Sequence, residues 1–220
     1  ETVKMFEAEV CRPNINLMRR LHGDVADLVN LVDEATKLPE GVLIENAGAG
    51  VPRAIIFCQT QQEAEEVHEE LQRALGTEDS VLYHAGMTTQ ERSLAATKFA
   101  ASGTVGRVCV ATSAFSMGID KPEVVLVVNF GPPASLEELF QEGGRAGRDG
   151  RPAVHLLLHD ARSWARREMM AKQAGCTLGE AHQREEEAAI KRVNQFCCSA
   201  EGCLHGIFAR FFSTKAKTSM

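Results

Sequence analysis

Aromatic residues and long apolar runs are scarce in this chain of 220 residues. Only 5% of the residues are aromatic, with a single Trp and a single Tyr. No apolar run approaches the roughly 20 residues that a membrane-spanning helix needs, and the opening stretch ETVKMFEAEV lacks the basic-then-apolar order of a signal peptide. We therefore expect an intracellular protein with no membrane part, nuclear if its source is eukaryotic. Because the sequence does not begin with Met, we also expect it to come from within a longer polypeptide.

Basic residues are also fewer than acidic ones. Lys and Arg number 24 against 30 Asp and Glu, which gives a formal net charge of −6. This balance excludes a protein that holds nucleic acid by bulk charge alone, although it allows a few placed contacts in a groove.

The spacing of the cysteines does not fit a disulfide framework. The chain has 7 cysteines and none of them forms a C-x-x-C pair, so we expect free thiols in a reducing compartment. Cys58 and Cys109 lie within apolar runs, where a thiol packs as a small hydrophobic group. With 44% hydrophobic residues, the chain is long enough for one well-packed domain and a small appendage.

Short apolar runs alternate with amphipathic stretches along the first two thirds of the chain. Apolar on both faces, the runs are typical of strands that are covered on both sides. Such alternation predicts an α/β fold, a doubly wound and mostly parallel sheet with helices on both faces. The predicted strands are Ala54–Cys58, Ser80–Tyr83, Arg107–Ala111, Val124–Phe130 and Ala153–Leu158.

Helical periodicity and capping residues mark the segments between these strands. In the segment after Thr88, a capping box with Glu91 predicts a helix to about Ala101, with Leu94, Ala95 and Phe99 facing inward. Beyond residue 159 no strand pattern appears, so residues 160–220 are predicted to form a helical appendage, with Glu185–Glu187 on a solvated face. The other predicted helices are Asp24–Lys37, Gln61–Leu75 and one that begins at Ser135–Gln141.

Small, polar or glycine-bearing segments follow the predicted strands. In doubly wound sheets, working groups gather at the carboxyl ends of the strands, so we expect a rim there that contacts phosphates. The segments are Gln59-Thr60, His84-Ala85-Gly86, Thr112-Ser113 and Gly131-Pro132.

The segment QEGGRAGRDG, Gln141–Gly150, combines glycines with two arginines three residues apart. Its glycines permit sharp turns and close approach of the backbone, and Arg145 and Arg148 each offer a two-pronged donor to phosphate oxygens. If the stretch is helical, both guanidinium groups point to one side and can reach one polyphosphate near the polar rim. The alternative is a surface loop or a flexible Gly/Arg arm.

A second stretch, Val108–Phe130, passes from one buried strand to the next through polar residues. Thr112 and Ser113 are placed to offer hydroxyl or N–H groups to a phosphate. Asp120 follows Gly118 in a turn, where its carboxylate can accept from a ribose hydroxyl, pair with an arginine, or only close an Asx-type turn.

These two stretches resemble known helicase motifs. ATSAFSMGIDKPEV and QEGGRAGRDG are similar to motifs V and VI of superfamily 2 helicases, and the second resembles the RecQ branch. RAIIFCQTQQEAEEV is similar to motif IV, YHAGM to the segment after it, and CRPNINLMRRL to the entry into the second RecA-like lobe. The resemblance covers about Glu7 to Leu158, with five segments in order.

The resemblance implies a RecA-like second lobe at residues 1–159 in an ATP-dependent 3′–5′ DNA helicase. No Walker A motif occurs in the chain, so ATP and Mg²⁺ would be held mainly by a first RecA-like lobe, and this chain alone would be inactive. By the same resemblance, Arg148 is the arginine finger, Arg145 its companion, and Gln141, Gly118 and Asp120 line the interface between the lobes and the nucleotide. Residues implied to contact the backbone of single-stranded or forked DNA are Thr60, His84, Gly86, Thr112 and Ser113.

In RecQ proteins the lobe is followed by a zinc-binding region, and residues 160–220 resemble its start. The resemblance makes Cys203 the counterpart of the first zinc ligand, so zinc is a possible cofactor of the full-length protein; the remaining ligands do not follow here, and we expect no metal in this chain. Two alternatives stay open from the sequence: a lobe of another superfamily 2 RNA helicase or DNA translocase, and a non-catalytic nucleic-acid-binding module.

Overall fold

The computed structural model of the chain describes residues 12–21, 25–36, 51–101, 103, 105–116, 123–199 and 204–218. The strands are β1 (Ile15–Leu21), β2 (Arg53–Cys58), β3 (Ser80–Tyr83), β4 (Val108–Ala111), β5 (Val124–Phe130) and β6 (Ala153–His159). The helices are α1 (Val25–Thr36), α2 (Gln61–Leu75), α3 (Thr89–Ala100), α4 (Leu136–Gly143), α5 (Ala161–Leu178), α6 (Glu180–Cys198) and α7 (Leu204–Thr218), with a 3₁₀ turn at Ser113–Ser116.

The six strands of the described residues form one parallel sheet in the order β1-β6-β5-β2-β4-β3. This arrangement confirms the predicted doubly wound α/β fold. The predicted strands β2 to β6 are present, with ends that differ by a residue at most. Strand β1 was not predicted from the sequence. It is an edge strand whose residues Ile15 and Leu17 are buried while its second half, which contains Arg19 and Arg20, is more exposed, so it lacks a fully apolar run.

Alternate residues of the central strands pack on opposite sides of the sheet. In β2, Ile56 belongs to a buried cluster with residues of α1 and α2, whereas Ile55 belongs to a cluster with residues of α3. Because successive side chains of a strand point to opposite faces, helices cover both faces, as expected. On the second face, α4, α6 and α7 cover β1 and β6 in a third cluster that includes Leu139, Phe196 and Phe208.

Helix α3 shows which part of the helix predictions was wrong. The capping box between Thr88 and Glu91 is present, and Phe99 and Ala95 are buried at 0% and 8% exposure. Leu94, however, is 59% exposed, because residues 95 and 99 already define the inward face and Leu94 lies about 100° away around the helix. Burial of the Phe99 ring contributes on the order of 2 kcal/mol to folding.

The predicted C-terminal helical appendage is present as α5, α6 and α7. Helices α5 and α6 pack against each other after a turn at Gly179, which has a φ of +96°. The acidic run Glu185–Glu187 is largely exposed on α6, as expected. None of the helices in the described part of the chain is both long and apolar enough to cross a membrane. The proposed boundary between residues 159 and 160 stays a prediction.

Candidate nucleotide and nucleic-acid sites

The arginine-bearing segment forms a compact turn after α4. Helix α4 begins after the carboxyl end of β5 and runs back across the sheet, so its last residue, Gly143, lies against His155 of β6. The turn that follows is held to the start of β5, because Gly147 N–H donates to the carbonyl of Val124 at 2.8 Å. The two arginines therefore lie near the amino ends of β5 and β6. This differs from the expectation that they lie at the carboxyl rim, because the sequence gives no sign of the direction in which α4 crosses the sheet.

Arg145 and Arg148 lie in different environments. Arg145 is 7% exposed, and burial together with the neighbouring charge of Arg148 lowers its pKa from the usual value. Arg148 is exposed, as is Gln141 near the end of α4. Residues 144–149 form hydrogen-bonded turns rather than a continuation of the helix, so the two guanidinium groups do not share one exposed helical face. Arg148 is the one that a ligand from outside the lobe can reach directly.

Two of the glycines in this segment are required by close packing. A Cβ at Gly143 would lie 2.1 Å from Nδ1 of His155, and one at Gly147 would lie 2.5 Å from Nδ2 of Asn14. Gly147 also has a φ of +55°, in the left-handed region that favours glycine. The free backbone noted in the sequence therefore serves close contact with neighbouring elements of the lobe itself.

A buried polar network ties α4 to the sheet. Asn129 of β5 donates from Nδ2 to Oε2 of Glu142 and accepts from Nε2 of His155 at 2.7 Å. Burial raises the pKa of Glu142 to about 8, and the nearby carboxylate of Glu138 adds to the rise. Burial also lowers the pKa of His155 to about 3. Both shifts favour the uncharged forms, which suits a network with little access to water, while the charges of Arg167 and Arg145 act on the pKa of Glu142 in the opposite direction.

The predicted rim residues all follow the carboxyl ends of β2, β3 and β4, at one edge of the sheet, as expected. Ser113 and Gly86 are exposed there, and Thr60 is half-buried. Thr112 and His84 are 9% and 5% exposed. The rim residues are thus brought together with one another, but not with the arginine-bearing turn.

Hydrogen bonds fix the conformation of the rim loops. Oγ1 of Thr60 accepts from the N–H of Glu63 at 3.1 Å and so caps α2. Nε2 of His84 lies 3.3 Å from a carboxylate oxygen of Glu65, and the N–H of Thr112 donates to the carbonyl of Tyr83 at 3.2 Å. Thr112 therefore links the ends of β4 and β3, and His84 links the end of β3 to α2.

Three residues predicted to have functions lie outside the described residues: Gly118, Asp120 and Cys203. In the part of the chain that the structure describes, no group of three His, Cys, Asp or Glu side chains could hold a metal ion. Cys197 is buried, which raises its pKa to about 12, and Cys198 is exposed and donates to Asn194. The absence of zinc from this chain stays a prediction.

Comparison with known proteins extends these observations. The family model of the helicase conserved C-terminal domain matches residues 38–150. The RecQ-like DNA helicase blm-1 of Caenorhabditis elegans is 35% identical over 158 residues, which are 69% of this chain and 14% of that protein. The probable ATP-dependent DNA helicase RecS of Bacillus subtilis is 32% identical over 185 residues, 84% of this chain and 33% of that protein. The E. coli DEAD-box protein SrmB, solved with regulator of ribonuclease activity A, shares the fold with a TM-score of 0.50 at 24% identity, over 66% of this chain and 76% of that one.

The chain belongs to the family of helicase conserved C-terminal domains, since that model covers just over half of it. Its relatives define the branch: it is a C-terminal lobe of the RecQ type within superfamily 2. This confirms the resemblance that motifs V and VI suggested. The chain spans 14% and 33% of the length of the two relatives named above.

Proposed function

We propose that this lobe supplies one wall of the ATP site of a 3′–5′ DNA helicase, with Arg148 as the arginine finger. The observation that carries the proposal is the exposed position of Arg148 on a turn that is fixed to the sheet. An arginine presented to the γ-phosphate offsets the charge that develops during transfer, which is worth about 10³–10⁵ in rate. Arg145 is buried three residues earlier in the same turn. As the companion of Arg148, it would stabilise the turn and add positive charge next to the finger.

The residues present fit part of a nucleotide site only. The Arg148 side chain suits phosphate oxygens, and Gln141 is exposed in the last turn of α4. The described residues include no cluster of carboxylates that would suit Mg²⁺. ATP and Mg²⁺ would therefore be held mainly by a first RecA-like lobe, with Gly118 and Asp120 of this lobe near the ribose. Bound ATP supplies the phosphoanhydride whose cleavage drives the motor.

We infer that the carboxyl rim contacts the backbone of single-stranded DNA. Ser113 and Gly86 are exposed there and can offer hydroxyl and N–H groups to phosphates, whereas Thr60, His84 and Thr112 shape the loops beside them. Contacts of this kind position a strand but read no bases, so binding would be independent of sequence. With a net charge of −6, the chain depends on such placed contacts rather than on bulk attraction.

The proposed role of Arg148 is tested in the full-length polypeptide by Arg148→Ala. We expect single-turnover ATP hydrolysis to fall at least 10³-fold while ATP binding changes little, because a finger acts in the transition state. Arg73→Ala on the exposed side of α2 serves as the matched control and should leave both unchanged, since its partners are exposed glutamates. A loss of ATP binding as large as the loss of turnover would contradict the finger role.

Polarity and substrate are tested with forked duplexes. We expect unwinding of forked DNA and of DNA duplexes with a single 3′ tail, and no unwinding of the equivalent duplex with only a 5′ tail. Stronger unwinding of RNA than of DNA forks would instead indicate an RNA helicase, and a full-length protein that binds DNA without hydrolysing ATP would indicate a non-catalytic binding module.

A further inference from the structure

The turn that carries Arg148 is held from outside by two side chains that precede β1. Nη1 of Arg12 donates to the carbonyl of Gly144 at 2.8 Å, and Nη2 of the same guanidinium donates to the carbonyl of Gly147. Nδ2 of Asn14 donates to Gly147 at 2.8 Å and to the carbonyl of Arg151 at 2.9 Å. The two side chains thus bind carbonyls on both sides of Arg145 and immediately before Arg148. We call Arg12 and Asn14 the turn clamp.

Gly144 and Gly147 lie beyond the last residue of α4, outside the regular hydrogen bonds of the helix. Within the turn the carbonyl of Gly147 also accepts from the N–H of Gly150 at 3.1 Å, so Arg12 and Asn14 add donors from a distant part of the chain. Arg12 contributes two parallel donors in a rigid plane, which fixes the separation of two carbonyls three residues apart. A lysine at this position offers a single flexible ammonium group and cannot hold both in the same way.

The turn clamp is itself anchored to the sheet. The N–H of Ile15 donates to the carbonyl of Arg12 at 3.1 Å, and the N–H of Ala153 donates to the carbonyl of Asn14 at 2.9 Å. Strand β1 continues from there in parallel register with β6, with Ile15 beside Ala153. The Arg148 turn is therefore fixed in relation to the edge of the sheet rather than through α4 alone.

The packing around Gly147 shows that the clamp and the turn fit closely. The place of a side chain at residue 147 is taken by Nδ2 of Asn14, which would lie 2.5 Å from a Cβ there. The positive φ of Gly147, +55°, sets the direction in which the chain leaves toward Arg148. A change at Asn14 would therefore act on the residue directly before the proposed finger.

We propose that Arg12 and Asn14 are positioning residues that fix the guanidinium of Arg148 for phosphoryl transfer. The inference rests on the proposed finger role and adds to it the part of the lobe that orients the finger. Preorganised charge contributes to rate because it needs no rearrangement as the reaction proceeds, and a displacement of about 1 Å can cost about 10²-fold. Neither residue needs to touch the nucleotide for this effect.

The test is ATP hydrolysis by the full-length polypeptide, with kcat and KM measured separately for Arg12→Lys and Asn14→Asp. We expect kcat to fall about 10- to 100-fold while KM for ATP changes less than about threefold, because the clamp acts through a group used in the transition state. Asn14→Asp keeps the size of the side chain but replaces the donor with an acceptor that faces carbonyl oxygens. The matched controls, Arg20→Lys and Asn16→Asp, alter exposed residues of β1 and should leave kcat unchanged.

A double variant separates this inference from the proposed function. If the clamp acts through Arg148, Arg12→Lys should lower kcat in the wild-type background but have no further effect in the Arg148→Ala background. Normal turnover by Arg148→Ala would refute the finger itself. Loss of turnover in Arg148→Ala with normal kcat in both clamp variants would refute the clamp alone. Failure of both clamp variants to fold, judged by their thermal transitions, would also overturn the proposal, since the residues would then be needed for folding rather than for positioning.

Discussion

The buried carboxyl group of Glu142 predicts an unusual dependence of stability on pH. Glu142 is 3% exposed, and its pKa is raised to about 8, first by burial and then by the carboxylate of Glu138. A carboxyl group whose pKa is raised by folding stabilises the folded state at low pH, and this contribution is lost as the pH rises from the unfolded value through the folded one. Glu142→Gln removes the titration but keeps an oxygen that can accept from Asn129.

The size of the effect follows from the interval between the two pKa values. Each pH unit within that interval changes the free energy of unfolding by about 1.4 kcal/mol. Raising the pH from 5 to 8 should therefore lower the free energy of unfolding of the wild-type chain by about 2–4 kcal/mol through Glu142 alone. The range corresponds to a change of about one unit in the folded pKa. This loss of stability corresponds to a change of roughly 4–16 °C in Tm for a chain of this size.

Urea unfolding, followed by circular dichroism at pH 5, 6, 7 and 8, measures this effect directly. The stability of Glu142→Gln minus that of the wild type should rise steadily with pH, while the contributions of other groups cancel in the difference. Glu69→Gln on the exposed face of α2 is the control and should show a constant difference. A Glu142→Gln difference that stays constant or falls between pH 5 and pH 8 would refute the conclusion that Glu142 is protonated in the folded chain.

Three further predictions concern the packing of the turn, the rim and the isolated lobe. The methyl group of Gly143→Ala would lie 2.1 Å from His155, whereas that of Gly144→Ala would meet only Phe140 O at 3.1 Å and Gln141 O at 3.6 Å. Gly143→Ala should therefore lower the free energy of unfolding by about 1–3 kcal/mol more than Gly144→Ala does. Equal values in urea titrations would contradict this. Ser113→Glu should weaken single-strand DNA binding about 10-fold for every sequence tested, whereas the same change at exposed Ser93 should not; fluorescence anisotropy measures both. The isolated 220-residue chain should show no ATP turnover above background in a phosphate-release assay, and turnover at the rate of a complete helicase would contradict the division of the site between two lobes.

The sheet could be predicted from the sequence because its central strands are buried on both faces. The runs that end at Cys58, Ala111 and Phe130 consist almost entirely of apolar residues. In the structure they form strands β2, β4 and β5, whose residues are almost all buried. Strand β1 could not be predicted in the same way. It lies at the edge of the sheet, and Arg19 and Arg20 occupy its second half, so its pairing with β6 depends on the tertiary structure rather than on its own pattern.

The sequence indicates which residues to assign to the candidate site, and their roles stay predictions, but it does not indicate the geometry of the site. The spacing of Arg145 and Arg148 indicates a cationic site, but it does not show that one of them is buried and the other exposed. That difference depends on where α4 ends and on what packs against its last turn, and both depend on residues distant in sequence. The bonds from Arg12 span 132 and 135 residues, so no local pattern could have indicated them.

The buried network illustrates the same limit. Glu142 reads as an ordinary surface acid next to Gln141, and His155 reads as a polar interruption of an apolar strand. Only their joint contact with Asn129 explains why a strand keeps a histidine at 3% exposure. A polar residue in the middle of an otherwise apolar strand was the one signal in the sequence that could have indicated a buried partner.

The central claim is that Arg148 stabilises the transition state of phosphoryl transfer, and the affinity of the full-length polypeptide for ADP with aluminium fluoride tests it most directly. This complex mimics the transferring phosphoryl group, so Arg148→Ala should weaken its binding at least 10²-fold while the affinity for a non-hydrolysable ATP analogue changes less than threefold. Equal losses of affinity for the two ligands would show that Arg148 contributes only to ground-state binding. No loss for either ligand would show that the turn of Arg148 does not contact the nucleotide.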